Sequence, residues 1–445
     1  MLTAISILPL AAIIATADPA TSCSSDVSVG NYDAPRVYAD LIEALNGDPQ
    51  SLAAFDARYG ADADGSLTVA KNLLGSEARV DEFLWCFDDA VGARVDGSDG
   101  KRGFALFIDV VPGDEPQLVS IGLRRQAPAQ PPQPVGEAER TALIEALQAR
   151  LRQDYVLPDV GQAMANALAK ANDEGRYDRI TSPRGLALRL TQDLKKVYRD
   201  GHLYIFDPTA FVERQQILDG SHGGGELAQD EPSVTSRTIT INDYRIAYVK
   251  VAGRIGGDAA TIAAVDQARA VMAEAESVIF DLREAIGGDG DVLPRLANPL
   301  FANATLLTRS DVRDPETGLV STSEMIAGPD NDGPIIAGRV AILTSDQTAS
   351  AAEAFAFGLQ RSGRATLFGD TTYGAGHRVD SVALADGYGL NLSIGRTYDP
   401  RTGEGWDAVG IAPDRSVNPR DALFTAVGWI TGLDVSEDPH QAVIG

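Results

Sequence analysis

Residues 339–344 are β-branched and apolar after Arg339, and 351–359 turn to helix formers with Phe355 and Leu359 on one face. A strand with no polar alternation is a buried one, and a helix following within a few residues covers it. The pattern repeats from Ser236 onward. Strands at 245–251 and 277–282 flank a helix at 259–275, and a strand at 364–369 and a hairpin region around 383–398 follow. Such alternation predicts an α/β domain with a largely parallel sheet over 236–430.

Ser350 stands at the joint of strand and helix. There the first N–H groups of the helix are unpaired and its dipole is positive, which favours a serine oxyanion and any negative charge developing beside it. Ser350 and Glu353 also have the spacing of a capping box, a structural device, so this segment alone leaves both readings open. Ser345, in the same loop, is expected to tolerate replacement better than Ser350. Gly287 and Gly288 close the segment 281–288 straight after the apolar run 278–280. Glycines there let backbone amides approach a ligand, although an ordinary strand-to-helix turn looks the same. A glycine-rich turn at 369–376 and the segment 406–414 complete the set.

The length of 445 residues predicts two or three domains, and 44% apolar with 23% charged residues is a globular composition. The net charge is −25 with only six lysines, a surface that repels phosphate backbones and anionic lipid headgroups. Nucleic-acid and peripheral-membrane partners are therefore not expected. Two cysteines and four histidines leave no zinc cluster to build.

Residues 1–17 are an apolar, small-residue run ending at Ala15, Thr16 and Ala17, and read as a signal for export to the periplasm or the exterior. A disulfide between Cys23 and Cys86 suits that compartment, with lipidation at Cys23 the alternative. Residues 24–125 form a small α+β domain, with helices expected at 37–45 and 80–87 and strands at 103–111 and 117–124. A proline-rich linker spans 126–136. A helical bundle follows over 137–205, then a connecting loop over 206–235, the domain at 236–430 and a tail at 431–445.

In this order, over 137–416, the segments around Gly287, Ser350, Gly374 and Trp406 resemble the tail-specific (C-terminal-processing) serine peptidase family. Tyr155, Val156, Pro158, Tyr177 and the run Asp200-Gly201-His202-Leu203 resemble the helical N-domain of its interphotoreceptor-retinoid-binding-protein-like branch, related to the tricorn protease core. The resemblance implies a crotonase-like β/α catalytic domain with the helical bundle across its cleft, no cofactor, and peptides or unfolded chain ends as substrate. It leaves residues 1–135 aside.

The departures from that pattern select the chemistry. The Ser–Lys branch has lysine at the middle of a Gly-Lys-Gly turn, where this chain has Ala375, and no lysine follows Lys250. A serine hydroxyl still needs a base. The tricorn-like pattern implies His202, and His377 is the rival by proximity to the turn. An imidazole base predicts activity that falls as pH drops through about 6.5. Asp407 stands where the pattern has a glutamate, and is expected to orient or polarise the site. Gly201 replaces a serine, and Ala285 an asparagine. The resemblance thus implies Ser350 as nucleophile and His202 as base, with an oxyanion hole from Gly287 or Gly288 and Ala351. The alternative is a catalytically impaired binding protein on the same fold, holding peptide or apolar ligands.

Overall fold

The computed structural model describes residues 33–60, 66–86, 90–97, 103–111, 113, 115–126, 135–178, 180, 182–218, 233–314, 317, 319–329 and 336–433. The apolar leader at 1–17 and Cys23, hence the Cys23–Cys86 pairing, lie outside them. So do residues 127–134 of the proline-rich linker, residues 219–232 of the connecting loop and the tail beyond 433. The chain divides into two compact units, 1–142 with 171–190, and 143–170 with 191–445. Among the described residues no helix is long and apolar enough to cross a membrane.

The first unit contains helices α1 (Asp33–Asn46), α2 (Pro49–Tyr59) and α3 (Ser66–Leu74), then an antiparallel sheet of β1 (Arg79–Cys86), β2 (Ala90–Asp96), β3 (Gly103–Val111) and β4 (Gln117–Gln126) in sequential order. Val37, Tyr38, Leu41 and Leu45 of α1 share a core with Val91, Ala93 and Leu106 of the sheet, and the Tyr38 hydroxyl donates to the Leu106 carbonyl at 3.1 Å. The helix expected at 80–87 is the strand β1. Its register against β2 shifts between Val80 and Glu82 and again between Phe83 and Trp85. Two such irregularities erase the two-residue alternation and leave apolar residues at a spacing that imitates a helix.

Three helices follow, α4 (Glu137–Asp154), α5 (Pro158–Asp173) and α6 (Pro183–Val197), then β5 (Tyr204–Phe206). The loop expected from 206 opens instead with helix α7 (Pro208–Leu218). Asp207 caps it, accepting from the N–H groups of Thr209 and Ala210, and Pro208 supplies the preset first turn.

The second unit is built on a six-stranded sheet of order β15-β12-β11-β8-β7-β6, from β6 (Val234–Ile241), β7 (Tyr244–Ile255), β8 (Ser277–Gly288), β11 (Val340–Thr344), β12 (Thr366–Gly369) and β15 (Arg415–Ser416). All neighbours are parallel except the β6–β7 hairpin at one edge. Both faces are covered, which is why the strands read as continuous apolar runs. Val278, Phe280 and Ile342 point to helices α8 (Ala259–Ala273) and α9 (Ala351–Arg361). Ile279, Ala341 and Leu343 point to α10 (Ala422–Thr431). A second sheet, of order β10-β9-β14-β13, contains β9 (Thr305–Arg313), β10 (Val320–Ala327), β13 (His377–Ala383) and β14 (Gly389–Tyr398), with β5 paired to β14. The composition of 236–430 foreshadows this mixed α/β content.

Phe355 fixes α9 on the sheet, its ring meeting Phe280 edge-on at 5.1 Å with both fully buried. Phe355→Ala is expected to destabilise the second unit by about 3–5 kcal/mol. Chemical denaturation followed on that unit's transition measures it.

Candidate active site

Ser350 is positioned by the far end of β8. The segment 281–288, expected as a loop after the strand, is the strand's own continuation, pairing with β7 as far as Ile255 opposite Gly288. The loop from β11 to α9 is stitched onto that continuation. Thr348 Oγ1 donates to the Leu282 carbonyl at 2.8 Å, Ser345 Oγ to Arg283 at 2.5 Å, and the Ala349 N–H to Ala285 at 3.0 Å. Ser345 is therefore buried and bonded, and its replacement is expected to cost stability.

Ser350 itself has φ 56° and ψ −117°, outside the extended conformation usual for a helix cap. Strain of this kind in a non-glycine residue is held only where surroundings over-determine it. Its neighbour Gly287 has φ 88°, and a Cβ there would lie 2.6 Å from Ser350 Cβ and 3.1 Å from the Ala351 nitrogen. Gly287 and the first N–H of α9 thus flank the serine. Gly288 is a glycine for another reason, since its Cβ would run into the Ile255 backbone of β7.

His202 Nε2 is 3.0 Å from Ser350 Oγ. The loop carrying it descends onto the turn 374–375 because neither partner has bulk to spare. A Cβ on Gly201 would lie 2.9 Å from both Cα and Cβ of Ala375 and 3.0 Å from the Gly374 oxygen. The turn is held by Glu353, fully buried, which accepts from Thr372 Oγ1 at 2.5 Å and from the N–H groups of Gly374, Ala375 and Ser350 at 2.8 Å each. Burial pushes the Glu353 carboxyl up, against the pull of those four donors. The capping-box reading is thus real, and the same carboxylate also ties the serine to the turn that receives Gly201.

Burial drives His202 down to about 4, the charge of Asp200 only partly opposing it. His202 is neutral above that value, so a fall in activity near 6.5 would not come from its titration. Asp407 does not touch His202. Its Oδ1 accepts from the Gly376 N–H at 2.8 Å and its Oδ2 lies 3.2 Å from His377 Nδ1. His377, the rival base, is buried with that nitrogen also 3.3 Å from Asp200 Oδ2, and its ring stacks on Tyr198. Among the described residues nothing bonds His202 Nδ1 with good geometry, and its polar neighbour is the His377 main chain.

Asp200, Tyr155 and Tyr198 are the site residues that the sequence reading left without roles. Asp200 is fully buried. Its Oδ1 accepts from the N–H groups of His202 (2.8 Å) and Leu203 (3.1 Å), and its Oδ2 from the Tyr155 hydroxyl (2.7 Å). Burial would raise this carboxyl, but His377 and Tyr155 outweigh it and hold it well below the usual range. The aspartate two residues before a histidine was the available signal, an Asx turn in sequence form. Asp200, His377 and Asp407 bring ligand atoms within 4.8 Å of one another, the one grouping among the described residues able to hold a cation. Their separations are those of hydrogen bonds, and tyrosine and main-chain donors already serve the carboxylates. A cavity of about 540 Å³ opens beside Ser350, lined by Ala351, Gly288, Ser310, Glu324 and Ile326.

Because Gly201 and Ala375 meet without spare room, Gly201→Ala is expected to lift His202 from the serine. A displacement near 1 Å slows reaction about 10²-fold. The rate at which a fluorophosphonate modifies Ser350 reports this, and adding Ala375→Gly is expected to restore part of it.

Residues 245–417 match Peptidase family S41, and residues 137–240 match the N-terminal domain of peptidase S41 in eukaryotic IRBP. A carboxyl-terminal-processing protease of Picosynechococcus sp. is 26% identical over 159 residues, 36% of this chain and 36% of that protein. Carboxyl-terminal-processing peptidase 3, chloroplastic, of Arabidopsis thaliana is 32% identical over 144 residues, 32% of this chain and 26% of that one. The matched part of the chain thus spans about a third or less of these curated relatives. Among solved structures, the photosystem II D1 C-terminal processing protease superposes with a TM-score of 0.43 at 16% identity, covering 64% of this chain and 94% of that one. The two adjoining matches take in the whole site and cover 137–240 and 245–417, and the chain belongs to peptidase family S41.

Proposed function

We propose that this chain is an exported serine peptidase that cleaves peptides or unfolded chain ends with a histidine base. The observation that carries the reading is the 3.0 Å approach of His202 Nε2 to Ser350 Oγ at a helix N-terminus. In this reading Ser350 Oγ attacks the scissile carbonyl as its proton passes to His202 Nε2. The tetrahedral oxyanion is received by the Ala351 N–H with that of Gly287 or Gly288. His202 returns the proton to the leaving amine, and water, activated by the same imidazole, releases the acyl group from Ser350.

The substrate class follows from what borders the nucleophile. Strand β10 is the outer member of its sheet, and its residues 323–326 line the cavity beside Ser350. An extended chain adding to that edge gains main-chain hydrogen bonds with little demand on side-chain sequence. The names of the carboxyl-terminal-processing relatives support chain ends as the natural form of such a substrate.

Ser350→Ala and His202→Ala are both expected to abolish hydrolysis of an unfolded protein substrate. The first also removes fluorophosphonate labelling, and the second slows it by orders of magnitude. His377→Ala is expected to slow hydrolysis less than His202→Ala. Turnover by Ser350→Ala equal to that of the wild type would refute the nucleophile, and the reverse ranking of the histidines would refute the base.

A further inference from the structure

An ordinary serine–histidine arrangement has a carboxylate on the far nitrogen of the base. Here that nitrogen, His202 Nδ1, has no such partner among the described residues. The carboxylates sit one step away instead. Asp200 grips the backbone of the base, accepting the N–H groups of His202 and Leu203 on Oδ1. His377 Nδ1 faces Asp200 Oδ2 at 3.3 Å and Asp407 Oδ2 at 3.2 Å. With carboxylate oxygens on both sides, that nitrogen carries the proton. The hydrogen bond goes to Asp200, and Asp407 Oδ2, in a side chain only 9% exposed, has no hydrogen bond of its own.

We propose that Asp407 is a positioning residue for the base: it fixes His377 as a donor to Asp200, and Asp200 in turn holds the backbone of His202 at the serine. The device replaces the direct carboxylate–imidazole contact. It rests on the peptidase reading above and adds to it the means by which the base is kept in place.

The surroundings leave few other groups to do this. Tyr155 meets the His377 ring edge-on and donates to Asp200, and Tyr198 stacks on the same ring and bonds Asp407. Lys195 acts on His202 only through its charge. Arg199 donates to the Ala408 carbonyl, and Arg396, which lines the small cavity beside Asp407, to that of Gly403.

Burial, aided by the charge of Asp200, raises the Asp407 carboxyl to about 6. It is ionised above that value and neutral below it. Positioning is therefore complete at higher pH and lost as pH falls through about 6, while His202 stays neutral down to about 4. The wild-type rate constant for peptide hydrolysis is expected to fall with a midpoint near pH 6.

Asp407→Asn is expected to lower kcat at neutral pH by about 10–100-fold with KM little changed, and to abolish the step near 6. Asp407→Glu retains most of the rate. Because the residues act in series, Asp407→Asn combined with His377→Gln is no slower than the worse single variant. Imidazole ¹⁵N shifts read the same coupling without turnover: the His202 and His377 signals move together near pH 6 in the wild type and not in Asp407→Asn. A wild type that hydrolyses nothing more than Ser350→Ala defeats the peptidase reading, and the shifts still judge the coupling. The proposal is overturned if Asp407→Asn keeps the wild-type pH profile and His202 shifts. It is overturned equally if the two substitutions multiply, or if the wild type carries a stoichiometric divalent ion that Asp407→Asn loses.

Discussion

One buried carboxylate organises the site. Glu353 takes hydrogen bonds from the N–H of Ser350 on its own helix and from Thr372, Gly374 and Ala375 across the loop. Four donors on two oxygens leave it no freedom, so the serine and the turn move as one body. Removing it would strand all four donors in the interior, each at a cost of about 1–3 kcal/mol. The positive φ of Ser350 survives because this carboxylate and the bond from Ala349 to Ala285 hold the chain on both sides of it.

The approach of His202 to the serine follows from what rests on that turn. Ala375 stands where a lysine-dependent relative carries its base, and Gly201 packs on it with no room for a Cβ. A longer side chain at 375 would displace the loop bearing His202, and a side chain at 201 would displace it equally. The two small residues therefore act together. With both residues small, the histidine loop lies close enough for Nε2 to reach the serine. Read singly, each substitution looks like damage to a site; together they are complementary surfaces.

How far the sequence carried depends on whether an element's signal is local. The strand–helix joint at Ser350 is legible because the strand is buried on both faces and the helix has one apolar face. The strand β1 misleads because its two irregularities disturb the alternation that identifies strands, and helix α7 is announced only by Asp207 and Pro208 at its start. The site divides in the same way. Ser350, His202 and Gly287 occupy positions that a linear pattern marks. Asp200 and Tyr155 meet only through folding, 45 positions apart, and His377 reaches Asp200 across a separation of 177. No spacing rule connects groups so far apart. The position of Asp407 near the end of the domain marks it in the sequence, but its contact with His377, not His202, is a property of packing alone.

The depressed His202 bears on how such a site can work. Burial is the largest influence on it, and burial disfavours the charged form that the base must adopt. In the resting site this is a handicap, because the carboxylate that would offset it grips the backbone and not the ring. The handicap shrinks once chemistry begins. In the proposed reaction, proton transfer from Ser350 would create imidazolium and oxyanion together, close and in the same desolvated space, so their mutual attraction would be stronger than in water. A base buried in this way stays neutral at rest and accepts a proton chiefly when a negative charge is forming beside it. On the proposed mechanism, the low-dielectric setting that weakens His202 as a free base would thus tie its protonation to attack on a bound carbonyl.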